Sequence, residues 1–298
     1  MKKPLNITIL FRLAILLGKV LPHKWGLQIA TLIGSFLGSL KNNRLVKAIR
    51  ANQYVIHNQQ LSSEALDEYP KEVFRSAARC FFDYFHYLPR PEELQNIVTF
   101  SPEAERVFDR IRNSQPCVVV CPHLSNFDLM GYALALNGLE VQVLSYPNPN
   151  TSYKLQNKLR EDLGILVTPM SMTAFRQARQ RLAQGGSILT GLDRPLSEKE
   201  REKYRPEFFG YEANLPVAYV RMAKEANAPV FIMAAASQPD QTYCLESIGP
   251  IWMESNDDLK VETLTNANKV LKAAEELIIK YAHQWAMFYP VWPQFLGV

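Results

Sequence analysis

The chain has 298 residues, 47% of them hydrophobic, which is enough to bury a sizeable core. Its net charge of +4 is a mild basic bias, with no basic run interleaved by aromatics. Such a balance gives no argument for nucleic acid and suits an anionic membrane face or an acidic carrier protein. Four cysteines, none in zinc-site spacing, fit the reducing cytoplasm.

The chain begins Met1-Lys2-Lys3, and an apolar run from Leu5 to Leu21 follows. Arg12 interrupts the run and no small-residue cleavage site follows, so it does not read as a signal peptide. It is also short of the roughly 20 apolar residues a membrane span needs. After Pro22-His23-Lys24 comes a second apolar run, Leu27 to Leu40, in which Gly34 and Gly38 allow close packing. Two short apolar helices with Lys and Arg flanks read as a hairpin lying on a membrane. A soluble helical cap buried on the domain is the alternative.

Basic residues then recur at three-residue spacing in Lys41, Arg44, Lys47 and Arg50. They are neighbours on a helix surface, facing lipid phosphates or simply water. Helices are predicted near 43–60 and 63–88, the second capped by Ser62 or Ser63. Pro70 is expected to break it, with the longer piece starting there. Pro89-Arg90-Pro91 ends the helical region. The division expected is 1–95, a helical membrane-associating segment, and 96–298, an α/β domain.

From about residue 96 the pattern alternates. Strands are predicted at 97–100, 117–121, 140–145, 165–168, 187–190, 230–236 and 242–248. Helices are predicted at 102–113, 127–137, 151–163, 172–184, 215–227 and 257–288. This predicts an α/β fold: a mixed, largely parallel sheet flanked by helices.

The strand at Cys117–Cys121 ends at Pro122, which has no N–H for the ladder. Cys117 and Cys121 face one side of it and read as core filling. His123 follows on the loop that feeds the next helix, where ligands bind in open α/β sheets. Asp128 lies five positions on. On a regular helix that is about 140° of rotation, so the pair meets only through an irregular turn. Such a turn would let Asp128 fix the imidazole tautomer, leaving the other nitrogen to take a proton from an alcohol. The blander reading is a loop histidine and a first-turn helix acid. Ser125 lacks the glycines of a nucleophile elbow.

A second constellation follows the strand at Ser187–Thr190. Gly191-Leu192-Asp193-Arg194 should project from the same sheet edge as His123. Arg194 offers a planar fork for phosphate or carboxylate, and Asp193 could orient it or contact an acceptor hydroxyl. The charged stretch 195–207 reads as a mobile loop near the opening. In Phe208-Phe209-Gly210 the aromatics line a groove or fill a core, and Gly210 allows close backbone approach. Trp285, Tyr289 and Trp292 suit a membrane interface or the core.

The segment Pro122-His123-Leu124-Ser125-Asn126-Phe127-Asp128 resembles the H-x4-D/E block of the lysophospholipid acyltransferase superfamily. Within it, the chain most resembles the lipid A biosynthesis (lauroyl/myristoyl) acyltransferases. Asn150 with Arg160 and Gly164, the stretch Ala178 to Asp193, Phe208-Phe209-Gly210, and Gln284-Trp285 resemble further blocks of that family in the same order. The resemblance covers nearly the whole chain. It implies a membrane-associated O-acyltransferase on the cytoplasmic face of the bacterial inner membrane. His123 and Asp128 would be catalytic, and Asn126, Asp193, Arg194, Phe209 and Gly210 would bind substrate. The donor would be an acyl carrier protein or coenzyme A thioester and the acceptor a lipid or glycolipid hydroxyl. No metal or other cofactor is expected. Backbone N–H groups around 124–126, or Asn126, are the expected oxyanion donors. The rival readings are a non-catalytic lipid-binding protein of the same fold and, below it, a hydrolase.

Overall fold

The strands at the centre of the fold are β1 (Val98–Phe100), β2 (Val118–Cys121), β3 (Val141–Ser145), β4 (Leu166–Pro169), β5 (Ser187–Gly191), β8 (Val230–Ser237) and β9 (Tyr243–Ile251). A separate two-strand ribbon pairs β6 (Glu207–Phe208) with β7 (Tyr211–Glu212). The structure is a computed structural model. It describes residues 7–147, 149, 151–197 and 204–298, and the side chains of these apart from 7–13 and 152. Met1-Lys2-Lys3, Asn150 and the middle of the charged stretch 195–207 lie outside the described residues.

The main sheet runs β1-β9-β8-β2-β5-β3-β4. Each neighbouring pair is parallel except β8 with β9. This is the mixed, largely parallel α/β sheet expected from the alternation. All four residues of β2 are buried, as its continuous Val run requires of a central parallel strand. Successive side chains go to opposite faces. Val118 and Val120 meet the core under α9 (Met172–Ala183), α10 (Ala218–Glu225) and α11 (Leu259–Lys280). Cys117, Val119 and Cys121 share the opposite core with Leu129 and Met130 of α7 (Phe127–Leu136) and with Val107 and Phe108 of α6 (Pro102–Arg112).

The chain leaves β2 through α7 to β3, and passes through α8 (Thr151–Asp162) to β4. It returns through α9 to β5, which enters the sheet between β2 and β3. The next sheet strand, β8, takes the other side of β2. The direction of winding reverses there, and the crevice at such a switch point lies outside the carboxyl ends of the strands.

Ahead of the sheet come α1 (Ile7–Val20), α2 (His23–Gly38), α3 (Arg44–Ile56), α4 (Ser63–Tyr87) and α5 (Pro91–Ile97). Ser62 caps α4, its hydroxyl accepting from Ala65 N–H at 3.2 Å. Glycines seat α2 on α4. A methyl on Gly34 would lie 2.5 Å from Phe74 O, and one on Gly38 2.4 Å from Lys71 Cα. The opposite face of α2 is bare, with Trp25 65%, Leu32 71% and Phe36 65% exposed. Among the described residues no helix is long and apolar enough to cross a membrane. The basic stretch after α2 is partly spent inside the protein, since Lys41 and Arg50 both pair with Asp67.

Two sequence expectations are corrected here. Pro70 does not break α4, which runs unbroken past it. An interior proline costs about 3 kcal/mol. Burial of Leu66, Val73, Phe74 and Phe85 along the same helix outweighs that cost. The last helix ends at Lys280 rather than running to 288. Beyond it, the chain makes a turn at Ala282–Gln284 and pairs with the loop of His123.

Candidate active site

Cys121 of β2 and Gly191 of β5 are partners in the parallel register. His123 and Asp193 each lie two residues beyond, so the register carries both off the same sheet edge. There they meet. His123 Nδ1 is 2.6 Å from Asp193 Oδ1, and His123 N–H donates to Asp193 Oδ2 at 2.8 Å. The Trp285 indole N–H donates to the same Oδ2 at 2.7 Å. The Asp193 side chain is fully buried, whereas that of His123 is 26% exposed. A carboxylate only accepts, so Nδ1 carries the proton and Nε2 keeps its lone pair for solvent or substrate. Gly191 leaves room for the ring: a methyl there would lie 3.3 Å from His123 Cε1.

The chain's last segment braces this loop. Ala286 N–H donates to His123 O at 2.8 Å and Ser125 N–H to Gln284 O at 3.0 Å. Leu124 forms an isolated bridge with Trp285. Ser125 sits at φ +47°, which turns the chain from the strand end into α7. Trp285 and Trp292 are thereby buried, and Tyr289 remains 47% exposed.

The expected pairing of His123 with Asp128 is corrected. Asp128, in the first turn of α7, points at α8. Its Oδ1 accepts from Arg160 Nε at 2.7 Å and pairs with Nη2 at 2.6 Å. Its Oδ2 accepts from Gln156 Nε2 at 2.5 Å. Burial opposes the Arg160 charge, but the Asp128 carboxylate and then Tyr153 outweigh it, holding the guanidinium above its ordinary pKa. His123 lies on the loop ahead of α7, and its imidazole turns to the residue beyond the end of β5 instead. Phe127 lies between, its ring edge-on to His123 with centroids 5.3 Å apart.

Of the expected oxyanion donors, the Asn126 side chain and the N–H groups of Leu124 and Ser125 are committed elsewhere. Asn126 caps α7 through Leu129 N–H at 3.3 Å, and its amide donates to Cys80 O at 2.8 Å. Leu124 N–H is bonded to Pro122 O and Ser125 N–H to Gln284 O. Phe209 and Gly210 are likewise away from the opening beside His123. They turn the β6–β7 ribbon at φ +52° and +76°, with Phe209 N–H bonded to Glu275 Oε1 at 2.7 Å. Phe208 stacks on Trp292 at 5.6 Å, so the aromatics of this block are core.

Arg194 does face the opening. Its guanidinium lies between the rings of Tyr146, at 4.2 Å, and Tyr289, at 4.5 Å. Nη2 donates to the Tyr289 hydroxyl at 3.2 Å. A cavity of about 130 Å³ opens here, with His123, Arg160 and Arg194 among its polar residues and Phe127, Met130 and Leu189 among its apolar ones. Cys121 also lines it, and burial followed by the nearby Asp193 charge pushes its thiol well above the ordinary range. Among the described residues no group of three or more His, Cys, Asp or Glu is arranged to hold a metal ion.

Arg160 stands in a motif block without a role in the sequence reading, and Trp285 reads there only as an interface or core aromatic. The signal for Asp193 was its strand-end position, matching that of His123. No curated protein matches the chain. The model of the bacterial lipid A biosynthesis acyltransferase family matches residues 4–294. The chain belongs to that family, and membership implies acyltransferase activity with an acyl donor and a lipid acceptor.

Proposed function

We propose that the protein moves a fatty acyl chain from an acyl carrier protein or coenzyme A thioester to a hydroxyl of a lipid or glycolipid. The observation that carries this reading is the imidazole held by buried Asp193 at the mouth of an apolar cavity. His123 Nε2 takes the proton of the acceptor hydroxyl. The oxygen attacks the thioester carbonyl, the C–S bond breaks, and the thiolate leaves with the proton from the imidazolium. Asp193 stabilises the imidazolium as its charge develops, a contribution of the order of 10²–10⁴ in rate for the acid–base pair. No covalent acyl-enzyme, metal or other cofactor enters this scheme.

Arg194 brings positive charge to the cavity, while the charge of Arg160 is paired with Asp128, which lines it too. Arg194, stacked between two tyrosines, suits a phosphate of the donor or the acceptor. Asp128 acts through Arg160, fixing the guanidinium that forms one wall. Residues 1–95 form the membrane-associating segment and 96–298 the transfer domain. The bare face of α2 rests on the cytoplasmic face of the inner membrane, which brings a lipid acceptor to the opening.

The test is incubation of the purified protein with membrane extract and labelled acyl thioesters, then mass spectrometry of the lipids. A new acylated lipid that disappears with His123→Ala supports the proposal. Bound lipid without transfer would make the protein a lipid binder. Free fatty acid alone would make it a hydrolase.

A further inference from the structure

A second cavity, of about 420 Å³, lies behind the first. The two share four lining residues, Gly131, Val143, Ile165 and Leu189. Val143 and Leu189 are register partners on the adjacent strands β3 and β5, so they stand side by side as the floor of this wall. Gly131 of α7 stands on the other side. A methyl on Gly131 would lie 3.4 Å from Ile165 Cδ1, so the isoleucine fills the space a larger residue would occupy. Ile165 is fixed by the turn that closes α8, where Gly164 has φ +82° and Ile165 N–H donates to Arg160 O at 3.0 Å.

The two cavities lie end to end along the strands. The first reaches Ser145, Tyr146 and Gly191, at the carboxyl ends of β3 and β5. The second reaches Glu140 and Arg181, toward the amino end of β3. From Asp193 back to Leu189 is four residues, roughly 13 Å of strand, and there the four shared residues stand between the two cavities. We infer that Ile165, seated on Gly131 over Val143 and Leu189, ends the acyl slot and limits the chain length the enzyme accepts. The inference rests on the acyl-transfer reading of the site. The thioester lies at His123 and the tail runs down the strands to the partition. Removing the δ-carbon end of Ile165 joins the slot to the apolar part of the second cavity, lined by Leu134, Ala135, Leu139 and Leu163. Each further methylene that finds apolar cover improves binding roughly fourfold.

The test uses saturated acyl thioesters from octanoyl to stearoyl, on coenzyme A and on acyl carrier protein, competed in one transfer assay. Free fatty acids of the same lengths are scored separately by thermal stabilisation. The wild type should show a length cut-off. Ile165→Ala should move it to longer chains, and Gly131→Leu to shorter ones, in both readouts. Opposite shifts from two substitutions do not arise from general destabilisation, and thermal melts confirm that each variant folds. Active variants that keep the wild-type cut-off would overturn the inference. Stabilisation that tracks the partition in a protein without transfer would uphold the slot while overturning the acyl-transfer reading.

Discussion

Asp193 Oδ1 stands 2.6 Å from His123 Nδ1, and the carboxylate comes from the turn that follows the neighbouring strand rather than from the helix that His123 feeds. This relationship assigns the orienting charge. Asp193→Asn keeps the size but loses the acceptor-only character that places the proton on Nδ1. Its turnover should fall by ~10²–10⁴ with apparent affinity nearly unchanged, because the interaction matters most as charge develops. Steady-state kinetics beside a thermal melt measure this. An Asp193→Asn enzyme as fast as wild type would remove Asp193 from the mechanism.

Asp128 should behave differently. Its side chain is 11% exposed and that of Arg160 9%, so removing either leaves the other charge buried and unpaired. Asp128→Ala should cost about 3–5 kcal/mol of stability. Adding Arg160→Met should restore much of it. A denaturation double-mutant cycle reads the coupling. Strictly additive losses would show that the ion pair is not what Asp128 is for.

Trp285 closes the carboxylate from behind. Trp285→Phe keeps most of the ring but removes the N–H that reaches Asp193 Oδ2 at 2.7 Å. A hydrogen bond to a charged group contributes about 1.5–3 kcal/mol. Turnover should fall without a matching change in KM, since the indole braces the base and touches no substrate. An increase in KM alone would place Trp285 in substrate binding instead.

The buried thiols should be slow to react. Burial pushes the Cys80 thiol up to about 11, and burial with the Asp193 charge raises Cys121 further. The thiolate is the reactive form, so near neutral pH almost none is present. Maleimide labelling at about pH 8, read by mass spectrometry, should leave both unmodified in the folded protein. Labelling of Cys80 should accelerate only as the pH approaches its raised pKa. Rapid loss of activity with Cys121 modified at neutral pH would show a more open cavity wall.

Much of the fold was legible because local chemistry agreed with the tertiary outcome. The Val run of β2 and the Pro122 stop each have one natural reading, and the structure uses them so. Strand-end position also placed Asp193 and Arg194 on the edge of His123. The partner of His123 was not legible, since it depends on the register between two strands whose paired residues Cys121 and Gly191 are 70 positions apart in sequence. No local pattern encodes that alignment, and the acid nearest in sequence, Asp128, was the wrong one. Phe209 misled for a related reason: an aromatic block reads alike whether it lines a groove or fills a core. Pro70 misled because propensity lost to the packing of α4.

The bare face of α2 gives the last prediction. Deleting the hairpin is a poor test, because Gly26, Gly34 and Gly38 press directly on α4 and deletion would uncover it. Trp25, Leu32 and Phe36 point the other way, at 65%, 71% and 65% exposure. Replacing all three with Glu should leave the thermal melt nearly unchanged. Each side chain contributes about 1.5–3 kcal/mol when fully withdrawn from water. Half of that gain, summed over three, corresponds to roughly 10²–10³ in partitioning. Co-sedimentation with vesicles of anionic phospholipid should therefore fall by about that factor. Exposed Lys19 and Lys24 at the bend add an attraction that added salt should weaken. If the triple variant sediments with vesicles as wild type does, this face is not the anchor and the membrane reading of the hairpin fails.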